Sequence, residues 1–113
     1  MPIRQRWKSA ESATVAADGT AEVRVTLGAA GIYEIFNKVI KLSDRLASAQ
    51  CVVYIDSVSD SNIIDGAQSA GIAASDTPHE YEGGQQLIAY FTGATPGTTA
   101  VLRVEGTFTP AGN

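Results

Sequence analysis

Residues 21–27 read AEVRVTL, and every second side chain in this stretch is apolar. In an extended strand, successive side chains point to opposite faces, so the apolar set would share one face and the polar set the other. The apolar set is Val23, Val25 and Leu27. The stretch therefore predicts a β-strand that places one face in a core and the other in water.

A turn signal precedes this strand, because residues 12–18 end in Asp18 and Gly19 follows directly. Two extended runs on either side of an Asp-Gly pair are typical of a β-hairpin, so we predict one here. The same reasoning applies near the end of the chain. Residues 85–93 and 100–110 flank the Pro-Gly turn of ATPGTT and predict a second hairpin.

Residues 32–42 fit two structures. Apolar side chains at positions 32, 35, 36, 39 and 40 follow the spacing of an amphipathic helix. The abundance of Ile, Val, Tyr and Phe is instead typical of a strand. The start of the segment also lacks a capping Ser, Thr, Asp or Asn, since Gly31 stands there. We therefore predict a strand.

The remaining segments complete an all-β pattern. Residues 49–58 carry apolar side chains on both faces, which favours a strand in the middle of a sheet or one covered by a neighbour. Residues 59–79 form a long polar stretch, interpreted as an ordered connection. Six to eight short strands separated by turns predict an antiparallel β-sandwich of jelly-roll or immunoglobulin-like type. We expect one such domain over residues 11–113, preceded by a basic arm at residues 1–10.

The charge of the chain is unevenly distributed. Three of the eight basic residues are Arg4, Arg6 and Lys8, and the other 105 residues carry five basic and twelve acidic side chains. Such an acidic body would repel a phosphate backbone, so nucleic acid is not the expected partner. No apolar run is long enough to cross a bilayer, so we expect no membrane partner either.

The segment 60–76, DSNIIDGAQSAGIAASD, is the strongest candidate for chemistry. Its carboxylates at Asp60, Asp65 and Asp76 suggest calcium, but the spacing departs from an EF-hand loop, and turn-forming side chains explain them as well. The single histidine, His79, lies in a predicted loop without the sequence context of a catalytic triad, and the single cysteine lies within an apolar strand. We therefore predict no metal ion, no cofactor and no enzymatic activity.

Several motifs occur together in the second half of the chain. They are Val53-Tyr54, Ser59 to Gly66, Ser75-Asp76, Gly84 to Leu87, Thr92 to Gly97 and Glu105-Gly106. Over residues 30–108 this pattern resembles small β-sandwich virion proteins of tailed bacteriophages, especially those of phages that infect actinobacteria and related hosts. The resemblance implies a structural role as a capsid decoration protein, or as a minor head or tail accessory.

The resemblance also implies where the protein acts and with what. We expect a virion protein on the capsid surface, made in the host cytoplasm, that contacts the major capsid protein or other virion proteins and forms a homo-oligomer, possibly a trimer. A carbohydrate- or receptor-binding module on the virion is the alternative. The expected partner contacts are Arg4, Arg6, Trp7, Lys8, Asn62, Asp65 and Asp76.

Overall fold

The computed structural model describes residues 3–42, 49–68, 72–75 and 79–111. These residues form nine strands and one short 3₁₀ turn at Asp60–Asn62. The strands are β1 (Gln5–Thr14), β2 (Ala21–Thr26), β3 (Gly31–Leu42), β4 (Gln50–Ile55), β5 (Ile63–Gln68), β6 (Ile72–Ser75), β7 (His79–Glu82), β8 (Gln86–Thr92) and β9 (Thr99–Pro110). Every pairing between them is antiparallel, which confirms the predicted all-β class. Within these ranges, no helix has the length and apolar character needed to span a membrane.

The strands lie in two sheets. Sheet A has the order β1-β9-β3-β6, with β7 also paired to β3, and sheet B has the order β2-β8-β4-β5. Pairs of strands that follow each other in sequence, such as β1 and β2 or β8 and β9, are thus divided between the sheets. This is the arrangement of a jelly roll, in which β7 is an additional short strand beside β6. The structure confirms the β-sandwich and selects the jelly-roll option.

Both predicted hairpins are wrong. Instead of pairing with each other, β1 pairs with β9 and β2 pairs with β8. The Asp18-Gly19 and Pro96-Gly97 turns are corners at which the chain passes from one sheet to the other. These corners lie side by side, since Ala94 N–H donates to the Gly19 carbonyl at 3.0 Å and Gly97 N–H donates to the Val15 carbonyl at 2.9 Å. The β1–β2 and β8–β9 connections are therefore hydrogen-bonded to each other where they cross the end of the sandwich.

The first corner is stabilised by a local hydrogen-bond pair. The hydroxyl of Thr20 donates to the Asp18 carboxylate at 2.7 Å, and the Thr20 N–H donates to the same oxygen at 3.1 Å. These two bonds, the hydroxyl one first, lower the pKa of the Asp18 carboxyl below its usual value. Gly19 has φ of +83°, which a side chain would disfavour. The Asp-Gly signal therefore does mark a turn, although not a hairpin.

The ambiguous segment 31–42 is a strand, as predicted, and it contains a β-bulge. Its pairing with β9 shifts between Ile35 and Asn37, so that Phe36 is an extra residue without a partner. The shift changes which side chains point inward. Ile35 and Ile40 both face the core although they are five positions apart, and Lys38 also faces inward with 2% of its surface exposed.

The core lies between the inward faces of the two sheets. Its largest fully buried side chains are Phe91, Leu27, Ile35, Leu42, Leu87 and Leu102. The alternation in β2 is confirmed, because Val23 and Val25 are each 1% exposed, whereas the polar residues next to them in the strand are exposed. The strand predicted over residues 49–58 lies between β8 and β5, which confirms its place in the middle of a sheet.

Two predicted boundaries differ from the structure. Residues 59–79 are not one long connection, because they include the 3₁₀ turn and the strands β5 and β6. The basic segment 1–10 does not end at a break, since β1 runs from Gln5 to Thr14 and pairs with β9 along its whole length. Its basic side chains are thus attached to a sheet, which fixes their positions relative to the neighbouring strands.

Candidate contact surface on sheet A

Strand β1 divides the predicted N-terminal contact residues between two faces. Trp7 is half-buried and packs against the core, whereas Arg6 and Lys8 are exposed on the outer face of sheet A. Arg4 is exposed just before the strand begins. The structure thus brings Arg4, Arg6 and Lys8 to one edge of sheet A, and we name these three residues the basic edge.

Trp7 belongs to an aromatic cluster inside the sandwich. Its ring meets Tyr33 edge-on, with centroids 5.0 Å apart and an interplanar angle of 76°. Tyr33 in turn stacks at a tilt on Phe108, with centroids 4.6 Å apart. The Tyr33 hydroxyl accepts a hydrogen bond from the Ala29 N–H at 3.0 Å, so its polar end is satisfied. The Trp7 ring is therefore engaged in packing within the chain, although Trp7 was expected to contact a partner.

A pocket of about 200 Å³ lies beside the basic edge. It is lined by Arg6, Trp7, Lys8, Phe36, Glu105 and Gly106. The bulge in β3 contributes to its wall, because the extra residue Phe36 stands outside with 38% of its surface exposed. The pocket thus combines one apolar wall with charges of both signs.

A second apolar side chain is exposed on the same outer face. Ile32 is 42% exposed. It lines two open grooves at the β7 end of the sheet, with volumes of about 410 and 370 Å³. Glu82 lines both grooves and lies opposite Ile32 in the β3–β7 pairing. Ile32 and Phe36 together give this outer face an apolar character among charged neighbours. They are two of the five large apolar side chains that are exposed among the described residues.

The opposite edge of sheet A is acidic. Glu82 pairs with Ile32 and Glu80 pairs with Glu34, while Tyr81 between them is buried. The three carboxylates consequently face outward together, and we name Glu34, Glu80 and Glu82 the acidic edge. Sheet A therefore has a positive side at β1 and a negative side at β7.

The other predicted contact residues lie elsewhere. Asn62 is in the 3₁₀ turn after β4, where its amide donates to the Ile55 carbonyl at 2.7 Å and to the Ser57 hydroxyl at 2.9 Å. The backbone of Asp65 pairs with Val53 in sheet B, and Asp76 lies outside the described residues. Strand β5 is in sheet B, at the far side from β2, so Asn62 and Asp65 are not brought together with the basic edge.

The described residues do not form a recognisable chemical centre. Among them, no group of three or more His, Cys, Asp or Glu side chains is placed to hold a metal ion. Cys51 is fully buried in the core and forms no disulfide, which agrees with its interpretation as a small apolar residue. The outer surface of sheet A is thus a better candidate for the functional site than any chemical centre among the described residues.

Sequence reasoning missed the acidic edge and the apolar pair. Strand β7 begins at His79, which was wrongly predicted to lie in a loop, although Glu80, Tyr81 and Glu82 follow the alternation of a strand. The exposure of Phe36 results from the bulge, and no simple period in the sequence indicates an extra residue there. The outward position of Ile32 follows from the alternation of a strand, because the adjacent Tyr33 faces inward.

Comparison with known proteins places this fold among viral and carbohydrate-binding structures. No family model and no curated protein sequence matches the chain. A chain from the acidic stable capsid of Helicobacter pylori bacteriophage KHP30 has a similar fold, with a TM-score of 0.65 and 12% identity over 98% of this chain and 95% of that chain. Chitosan-binding module 1 of a chitosanase/glucanase from Paenibacillus sp. IK-5 has a TM-score of 0.50 and 18% identity, covering 88% of this chain and 74% of that module. At such identities the likeness is one of fold.

Proposed function

We propose that the protein is a structural component of a bacteriophage virion that decorates the capsid shell. The observation that carries this proposal is the similarity of fold to the phage capsid chain, which extends over 98% of the present chain. The motifs in residues 30–108 support it independently, because they resemble small virion proteins of tailed phages. The role assigned is one of binding and reinforcement, without catalysis.

The outer face of sheet A is the proposed site of contact with the major capsid protein. Its exposed apolar side chains, Ile32 and Phe36, would lose water on contact, and this burial stabilises a complex by roughly 25 cal/mol for each Å² removed from solvent. Charged residues surround both of them, which gives the apolar centre and polar rim common in protein interfaces. Asn62 does not contribute in this account, because its amide is bonded within the chain.

The experiment is co-sedimentation of purified protein with capsids that lack it. We expect the wild-type chain to bind, and the double variant Ile32→Ser/Phe36→Ser to bind about tenfold or more weakly, since two exposed apolar contacts are lost. Ile63→Ser is a matched control, because Ile63 is 48% exposed but lies in sheet B. Failure of the wild-type chain to bind would reject the decoration role. Equal weakening by the control would reject only the proposed face.

A carbohydrate-binding role on the virion is the second candidate. It is supported by the fold of the chitosan-binding module and by the pocket that Phe36 helps to line. Against it, the Trp7 ring is packed on Tyr33 and is not free to stack on a sugar. Titration with chitosan oligosaccharides distinguishes the candidates. Saturable binding that Phe36→Ser abolishes would favour the carbohydrate role.

A further inference from the structure

Sheet A ends in two edges of opposite charge. On its outer face, Arg6 and Lys8 stand on β1, and Glu80 and Glu82 stand on β7, with β9 and β3 between them. Within the described residues, none of these four side chains forms an ion pair. Three strand spacings separate the two edges by roughly 14 Å. This exceeds the Debye length of about 8 Å at physiological ionic strength, so the edges hardly neutralise each other within one molecule.

Both edges also offer unpaired backbone groups. Strand β1 is ten residues long and, among the described strands, pairs only with β9. Strand β7 pairs only with β3 in the same part of the chain, although the Glu82 N–H donates to the Gln85 side chain at 2.8 Å and the Glu82 carbonyl accepts from the Gln85 N–H at 3.2 Å. The outward N–H and C=O groups that Gln85 does not engage are available to a strand from another molecule. A long edge strand of this kind is a natural place for an additional strand to pair.

The directions of the strands are compatible with a second copy. Since β1, β9, β3 and β7 alternate in direction, β7 runs opposite to β1. A second molecule placed in the same orientation would therefore present its β1 antiparallel to β7 of the first, and the sheet would continue without a break in its pattern. The same placement brings Arg6 and Lys8 of one copy towards Glu80 and Glu82 of the other.

We propose that the protein associates head to tail with itself, the β1 edge of one copy pairing with the β7 edge of the next. Association of two identical edges is disfavoured, because β1 against β1 brings basic side chains together and β7 against β7 brings carboxylates together. A head-to-tail contact uses two different surfaces and forms a ring if the rotation closes. The inference concerns the chain alone and does not rest on its binding to a capsid.

Charge reversal tests this pairing in solution. Sedimentation velocity should show wild-type self-association that weakens as salt is raised, because the charges at the interface are exposed. Arg6→Glu/Lys8→Glu and Glu80→Lys/Glu82→Lys should each weaken association by roughly tenfold or more. An equimolar mixture of the two variants should restore it, since every β1–β7 contact in the mixture again joins opposite charges.

The controls are exposed charges of sheet B. Arg24→Glu and Glu22→Lys make the same kinds of change on β2 and should leave association unaffected. Circular dichroism establishes that each variant is folded, and the single variants Lys8→Gln and Glu82→Gln repeat the test with milder changes. A monomeric wild-type chain at about 100 μM and low salt would overturn the proposal. So would variants that associate like wild type, or a mixture that stays monomeric.

Discussion

Replacing Phe91 by alanine is expected to lower the free energy of unfolding by about 3–5 kcal/mol. Phe91 is 0% exposed and is the largest of the fully buried side chains in the core between the two sheets. Its removal would leave a cavity as well as forfeit the transfer of its ring from water. Because the total stability of a domain of this size is about 5–15 kcal/mol, the variant would lose a large share of it.

Phe36 provides a matched control for this prediction. It is the same residue type, but the bulge places it on the surface with 38% of its area exposed. Phe36→Ala should therefore cost about 1 kcal/mol or less. Urea denaturation of both variants, followed by circular dichroism, measures the difference. Similar losses for the two would contradict the assignment of Phe91 to the core and Phe36 to the surface.

Gly106→Ala is expected to destabilise the protein by about 3 kcal/mol or more. The β3 bulge brings the backbone of Glu34 and Ile35 close to Gly106 in the neighbouring strand. An added Cβ would overlap the Glu34 carbonyl oxygen and lie 2.9 Å from the Ile35 Cα. These are backbone atoms, so the overlap can be relieved only by separating β3 from β9 at the centre of sheet A.

Gly28→Ala is the control, since a Cβ at Gly28 would meet nothing within 4 Å. We expect its stability to stay within about 1 kcal/mol of wild type. Thermal and urea denaturation of the two variants give the comparison. If Gly106→Ala were as stable as Gly28→Ala, the close approach of β3 and β9 at the bulge would be incorrect.

The sequence was informative where a signal is local and regular. The alternation in residues 21–27 predicted the buried Val23 and Val25, and it did so because a strand with one face in a core has a period of two. The Pro96-Gly97 and Asp18-Gly19 pairs marked turns correctly. They could not show whether the chain returns within one sheet or crosses to the other, because both outcomes require a similar local bend. The hairpin predictions failed for this reason.

The bulge at Phe36 interrupts the alternation of residues 32–42. One extra residue changes its phase, so the inward positions 35 and 40 are five apart, which a strict two-residue period does not allow. Counted from the inward Tyr33 and Ile35, such a period would place Lys38 outward, whereas the shift turns it into the core.

The candidate surface was predictable only in part. The concentration of Arg4, Arg6 and Lys8 is visible in the sequence, and the structure shows that it becomes one edge of sheet A. Its acidic counterpart depends on pairing between Glu34 and Glu80, which are 46 positions apart in the chain. Contacts of this kind arise from the topology, and a single sequence contains no direct signal for them.

The most direct test of the proposed role is a cryo-electron microscopy map of the phage particles in which this chain is proposed to be a component. The account predicts jelly-roll density in many symmetry-related copies on the capsid surface, with the outer face of sheet A against the major capsid protein. The absence of the chain from the particles would contradict it, as would its confinement to a few copies at the tail tip.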